Sequence, residues 1–162
     1  MLRLITGMIL FFCLSMPSIG NQLHVIINGK AIHLEDGDYN EENWGIGFEY
    51  DFIKKPEANW IPLIVGSTFK DSNDDVSNYL GGGIKRRFHF GDNSGGIHLD
   101  FGLAGFVMTR KDYHDNSPFL GALPFFSLGT KNIAINATYI PDITPKDVPL
   151  LYFQLMIKIP EF

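Results

Sequence analysis

Three residues of this 162-residue chain have types suited to general-base activation of a hydroxyl: His33, and the adjacent pair Asp71 and Ser72. A neutral imidazole can take a proton from a hydroxyl as that hydroxyl attacks a carbonyl, and a carboxylate can orient or support the imidazole. A Ser can act as nucleophile or as a polar contact. Read alone, Asp-Ser is more often a polar turn than a catalytic pair, so the elements that carry these residues decide between the readings.

Those elements read as β-strands. Trp44, Ile46, Phe48, Tyr50 and Phe52 alternate with Asn43, Gly45, Gly47, Glu49 and Asp51, giving the period of two that leaves one face oily. Ile133, Ile135, Ala137 and Tyr139 repeat the pattern, as do Leu151, Phe153, Leu155, Ile157 and Ile159. Turn residues divide the chain into eight strands near 22–33, 43–53, 60–70, 77–90, 96–109, 119–128, 131–140 and 150–159. Short connections alternate with longer polar ones, which predicts an all-β fold, an eight-stranded antiparallel transmembrane barrel of the outer-membrane type. Crossing parity then places His33, Asp71 and Ser72 at one rim. A secreted sandwich or lipocalin-like barrel would instead turn its apolar residues inward.

With the oily face on lipid, the inward face carries two different linings. Toward the periplasmic end, Glu49, Asp51 and Asp100 face Lys85, Arg87 and Lys158, with His89 and His98 beside them, a set able to form a paired polar plug. Toward the outer end, Gly45, Gly47, Gly66, Gly81, Gly83, Gly102 and Ala104 take inward or near-inward positions. An eight-stranded barrel is only just wide enough to be filled by side chains, so small residues there leave a slot for one slender ligand such as an acyl chain. Glycines that merely permit bending are the alternative.

Arg3 followed by an apolar run over 4–14 and small residues at 18 and 20 reads as a secretory signal covering 1–20, leaving 21–162 as a single barrel domain. The apolar run is shorter than the roughly 20 residues of a membrane helix. The sole cysteine, Cys13, lies in that leader, so the mature chain has no disulfide or thiolate site. His98-Leu99-Asp100 points into the plug without a further ligand motif, and Asp71, Asp74 and Asp75 lack calcium-loop spacing. No metal and no cofactor are expected. A net charge of −5 without a basic run removes the electrostatic basis for binding nucleic acid.

Several segments resemble the PagP-type lipid A palmitoyltransferases: Thr68-Phe69-Lys70-Asp71-Ser72, Asp38-Tyr39-Asn40-Glu41 running to Trp44-Gly45, residues 116–124, and Thr138-Tyr139-Ile140-Pro141. The resemblance implies an enzyme of the bacterial outer membrane that moves a palmitoyl chain from a phospholipid donor to lipid A, as a monomer or homodimer. It places the family's essential Asp-Ser pair on Asp71 and Ser72 and its essential His on His33, with His24 as fallback at the opposite end of the same strand. It also implies that Gly83, twelve residues beyond Asp71, floors the acyl pocket, and that Pro124 and Pro141 loosen strand pairing for lateral lipid access. Asn43 stands where that family has a proline. A non-catalytic small barrel, or a hydrolase giving the acyl chain to water, are the alternatives.

Overall fold

The computed structural model describes residues 20–53, 55, 59–91, 96–142 and 148–160. Eight antiparallel strands close on themselves: β1 (Gln22–His33), β2 (Glu42–Asp51), β3 (Trp60–Lys70), β4 (Val76–Phe90), β5 (Ile97–Thr109), β6 (Phe119–Gly129), β7 (Ile133–Ile140) and β8 (Leu150–Lys158). Each strand pairs with its sequence neighbour and β1 closes on β8, so no sheet edge remains along the seam. The strand bounds lie within two residues of those read from periodicity. Apart from Gly20, the expected leader falls outside the described residues.

The wall is apolar on its outer surface. Trp44, Ile46, Leu80, Leu103, Phe126 and Ile135 are all exposed, and Leu120 is 84% exposed. Such a belt is far larger than the apolar patches soluble monomers leave in water, and it matches the lipid-facing band of a transmembrane barrel.

The interior holds two layers. At the end where the N-terminus of β1 lies, Lys85 reaches Glu49 at 2.7 Å and Asp51 at 2.8 Å, while Arg87 grips Asp100 through two hydrogen bonds of 2.8 Å. All five side chains are buried, so the pairing is what makes their burial tolerable. His24, Glu49 and Asp51 come within 4.8 Å of one another, but the Lys85 ammonium already sits on those two carboxylates as their cation. The plug differs from the sequence reading in two members. Lys158 makes none of its ion pairs, being opposite His24 where β1 meets β8, and His89 is exposed, with its ring centroid 6.5 Å from that of buried His98. Both lie at strand ends, where the alternation that assigns a face no longer encloses the side chain.

Above the charges lies a deck of neutral hydrogen bonds. Asn28 accepts from Tyr152 and Gln154, Asn136 donates to Gln154, and Ser127 donates to Asn136. Between the charges and this deck, and beside it, Ile26, Leu63, Val65, Ala104 and Phe125 form an apolar cluster, Ile26 standing between His24 and Asn28 along β1. Among the glycines expected to line this half, Gly66 faces outward, where Leu80 and Phe48 flank it, because the inward phase of β3 runs through Leu63, Val65 and Ser67.

One irregularity governs the site. Along β1 the buried positions are His24, Ile26 and Asn28, then Ala31. The register against β8 jumps between Asn28 and Ala31, three steps on β1 for two on β8, and the register against β2 shifts between Asn28 and Lys30. This β-bulge at Gly29 and Lys30 adds one residue and so reverses which face every later side chain takes. His33 therefore points inward with Ala31. Without the bulge the phase of His24 would continue through Ile32 and leave His33 on the lipid face.

Candidate functional site

The connection from β3 to β4 is a five-residue turn built by its own acid. The Asp71 carbonyl accepts from the Asp74 amide at 3.0 Å, and the Asp71 amide donates to the Asp75 carbonyl at 2.8 Å. Asp74 takes φ of 62°, a left-handed conformation that Asp tolerates better than most residues. The Asp71 carboxylate completes the turn: Oδ1 accepts from the Asn73 and Asp75 amides at 2.9 and 3.2 Å, and Oδ2 accepts from the Ser77 hydroxyl at 2.7 Å. Arg110 lies 3.9 Å from Oδ2. These contacts hold Ser72 at a defined place on the rim.

His33 arrives from across the barrel. Its Nε2 lies 2.9 Å from Ser72 Oγ, and with the ring proton on Nδ1 the hydroxyl donates to the imidazole. The His33 side chain is only 4% exposed, and its ring stacks on Tyr39 with centroids 4.4 Å apart and 21° between planes. Asn40 ties the two halves together, its amide donating to the Ser72 carbonyl at 2.8 Å and its side-chain NH₂ to the Asp71 carbonyl at 3.0 Å. Glu41 follows, with Oε1 3.9 Å from His33 Nδ1. Residues 39–41 thus stack on, clamp and face the site, a part the sequence reading quoted only as a string of resemblance. His24 lies buried in the plug at the other end of β1, away from Ser72.

Beneath the rim is a cavity of about 90 Å³ with a mainly apolar wall. Phe69, Tyr152, Ile140 and Met108 surround its upper part, Leu63, Val65, Ala104 and Phe125 its lower part, and Glu49, Asn136 and Gln154 give it a polar base. Phe69 precedes Asp71 by two residues, so the cavity wall and the turn are about 7 Å apart along β3. Gly83 faces inward beside the cavity but is not part of its wall; its register partners Leu63 and Ala104 are. A Cβ at Gly83 would collide with the Leu103 carbonyl oxygen, so glycine there permits a close approach of β4 to β5. Gly102 is covered by the ring of Phe125, which takes up the space the missing side chain leaves.

The ladder between β6 and β7 ends at Phe125 and Thr138, although β6 continues upward to Phe119 along β5. Pro124, the next residue on β6, has no N–H to offer β7. Pro141 follows directly on the last residue of β7. Leu123 and Phe125 on one side of this gap, and Thr138 and Ile140 on the other, all line the cavity. The cavity therefore abuts a place where the wall lacks backbone hydrogen bonds.

A closed eight-stranded barrel with an oily outer wall, bearing a half-buried His–Ser pair over an apolar cavity at one rim, defines a membrane barrel equipped to handle an apolar chain and a hydroxyl together. Residues 30–154 match the family described as antimicrobial peptide resistance and lipid A acylation protein PagP, and the chain belongs to that family. Its sequence is 30% identical to the lipid A acyltransferase PagP of Methylobacillus flagellatus over 103 residues, covering 64% of this chain and 53% of that one. It is 31% identical to the protein of the same name from Bordetella pertussis over 127 residues, covering 75% and 67%. The chain spans about half the length of the first of these relatives. The solved structure of Ail, the attachment invasion locus protein of Yersinia pestis, is also similar, with a TM-score of 0.48 and 9% identity over 86% of this chain and 97% of that one.

Proposed function

We propose that this protein is an outer-membrane acyltransferase that carries a palmitoyl or similarly long acyl chain from a phospholipid to lipid A, after removal of residues 1–20. The observation that carries the reading is the 2.9 Å contact between His33 and Ser72 directly above the apolar cavity. The donor comes in sideways from the outer leaflet through the gap between β6 and β7, next to Pro124 and Pro141, and lays its acyl chain in the cavity. Its ester then lies at the rim beside His33 and Ser72.

As a hydroxyl attacks the ester carbonyl, its proton passes to His33 Nε2. The carbonyl carbon to glycerol oxygen bond breaks, and the same proton leaves with the lysophospholipid. The attacking hydroxyl is that of lipid A in a direct transfer, or that of Ser72 in a two-step transfer, where a lipid A hydroxyl then attacks the acyl-serine, the acyl carbon to Oγ bond breaks, and the proton taken by His33 returns to Ser72. His33 serves either route, and general acid–base assistance of this kind contributes about 10²–10⁴-fold. Family membership and the names of the relatives support the acceptor; the apolar cavity and the seam beside it support a lipid donor.

Mass spectrometry of lipid A tests this, in an outer-membrane host lacking its own transferase and expressing the protein or its Ser72→Ala variant. A palmitoyl-sized mass increase with the parent alone is expected. Free fatty acid without acylated lipid A would identify a hydrolase, and unmodified lipids with a folded barrel would identify a non-catalytic one.

A further inference from the structure

The carboxylate that serves His33 is the point at which the geometry departs from the simplest assignment. Asp71 adjoins Ser72 in sequence, yet both of its carboxylate oxygens are taken up by the Ser77 hydroxyl and by the amides of Asn73 and Asp75. His33 Nδ1 meanwhile is buried without a hydrogen-bond partner. A buried polar atom left so is costly, and native structures rarely leave one unanswered. The group placed to answer it is Glu41, whose Oε1 lies 3.9 Å away. Its other oxygen is 3.3 Å from Lys30 on the exposed side.

We infer that Glu41, and not Asp71, positions His33, so that Ser72, His33 and Glu41 form a hydroxyl–imidazole–carboxylate series across the top of the barrel. The inference rests on the acyl-transfer reading for its chemistry. Three side chains meet the imidazole: Ser72 at Nε2, Glu41 toward Nδ1, and Tyr39 against the face of the ring. With the proton on Nδ1 directed at Glu41, the Nε2 lone pair is free to accept the hydroxyl proton. The imidazolium so formed is stabilised by the Glu41 carboxylate, which stays ionised, and Nε2–H then protonates the leaving glycerol oxygen. Hydrogen bonds of this kind are often long before substrate binds and tighten in the reacting complex, so 3.9 Å is within the range that a small movement of the 34–41 loop closes. The backbone already holds Glu41 nearby, since its carbonyl accepts from the Ala31 amide at 2.9 Å.

The test compares the parent with Glu41→Gln, Glu41→Asp and Lys30→Ala, each refolded in detergent micelles. Nitrogen NMR of the imidazole reads the His33 tautomer, and acyl transfer from phospholipid to lipid A gives kcat and KM. The parent is expected to hold the proton on Nδ1. Glu41→Gln is expected to lose that preference and to lower kcat by roughly 10- to 100-fold with little change in KM, with Glu41→Asp recovering part of it. Lys30→Ala removes the exposed ion pair only, and is expected to leave tautomer and rate unchanged. An unchanged tautomer and rate in Glu41→Gln overturns the inference, as does a Lys30→Ala loss equal to that of Glu41→Gln, which would reduce Glu41 to a surface structural role. If the folded parent transfers no acyl chain, the activity reading fails while the tautomer still decides for or against Glu41.

Discussion

His33 Nε2 and Ser72 Oγ stand 2.9 Å apart although 39 residues separate them in sequence. Two different devices bring them together: a bulge that turns the end of β1 inward, and a turn after β3 knitted by the Asp71 carboxylate. Removing the imidazole should therefore abolish chemistry without disturbing the wall. His33→Ala is expected to lower acyl transfer by at least about 100-fold, while retaining the heat-dependent gel shift of a folded barrel. Full activity in the folded variant would remove His33 from the reaction.

Asp71 knits the turn that carries Ser72. Asp71→Ala leaves the Ser77 hydroxyl and the Asn73 and Asp75 amides without their carboxylate partner, at a cost of about 1–3 kcal/mol if they stay buried. Hydrogen exchange at Asn73 and Asp75 should accelerate, and transfer should fall because Ser72 is no longer held. Unaltered exchange with lost activity would instead assign Asp71 a direct part in the chemistry.

Gly83 borders the cavity in the same tier as Leu63 and Ala104. Gly83→Met forces β4 away from the Leu103 carbonyl and projects a side chain into the lumen, so the acyl chain selected should become shorter. Chain-length profiles from mixed-acyl phospholipids measure this. An unchanged profile would leave the floor to the Gln154 and Asn136 deck.

The seam between β6 and β7 can be closed on demand. Leu123→Cys with Ile140→Cys places a disulfide across the gap above the Phe125–Thr138 pair. Oxidation should suppress transfer and reductant restore it, measured on the same sample. Activity indifferent to the tether would place lipid access elsewhere.

Lys85 is the cation on which the buried acids depend, at 1% exposure. Lys85→Met leaves Glu49 without a cation and Asp51 with Arg87 alone, 3.7 Å away, and is expected to destabilise the barrel by about 3–5 kcal/mol. Urea unfolding in lipid vesicles measures the loss, and pairing the change with Glu49→Gln should recover part of it.

Much of this architecture is legible in the sequence because strands announce themselves by a period of two. The oily series from Trp44 to Phe52 identifies both a strand and its lipid face, and the charges at Glu49, Asp51, Lys85, Arg87 and Asp100 locate the plug. Periodicity fails where one residue is added or where a strand ends. The bulge at Gly29 and Lys30 has no signature in alternation, so the inward aim of His33 is invisible before the register is known. Gly66 carries no side chain to betray its face, and Lys158 and His89 lie past the enclosed part of their strands. The roles of Tyr39, Asn40 and Glu41 depend on contacts across the rim, between residues that no local pattern connects.

The plug also bears on what the cell would tolerate. Lys85, Arg87 and their three carboxylates pair inside the lumen, with a hydrogen-bonded deck above them. A barrel so stoppered sets paired charges and a polar deck between its two ends. Water or solute crossing the lumen would have to break those ion pairs, so the plug is expected to keep the open outer half from becoming a channel.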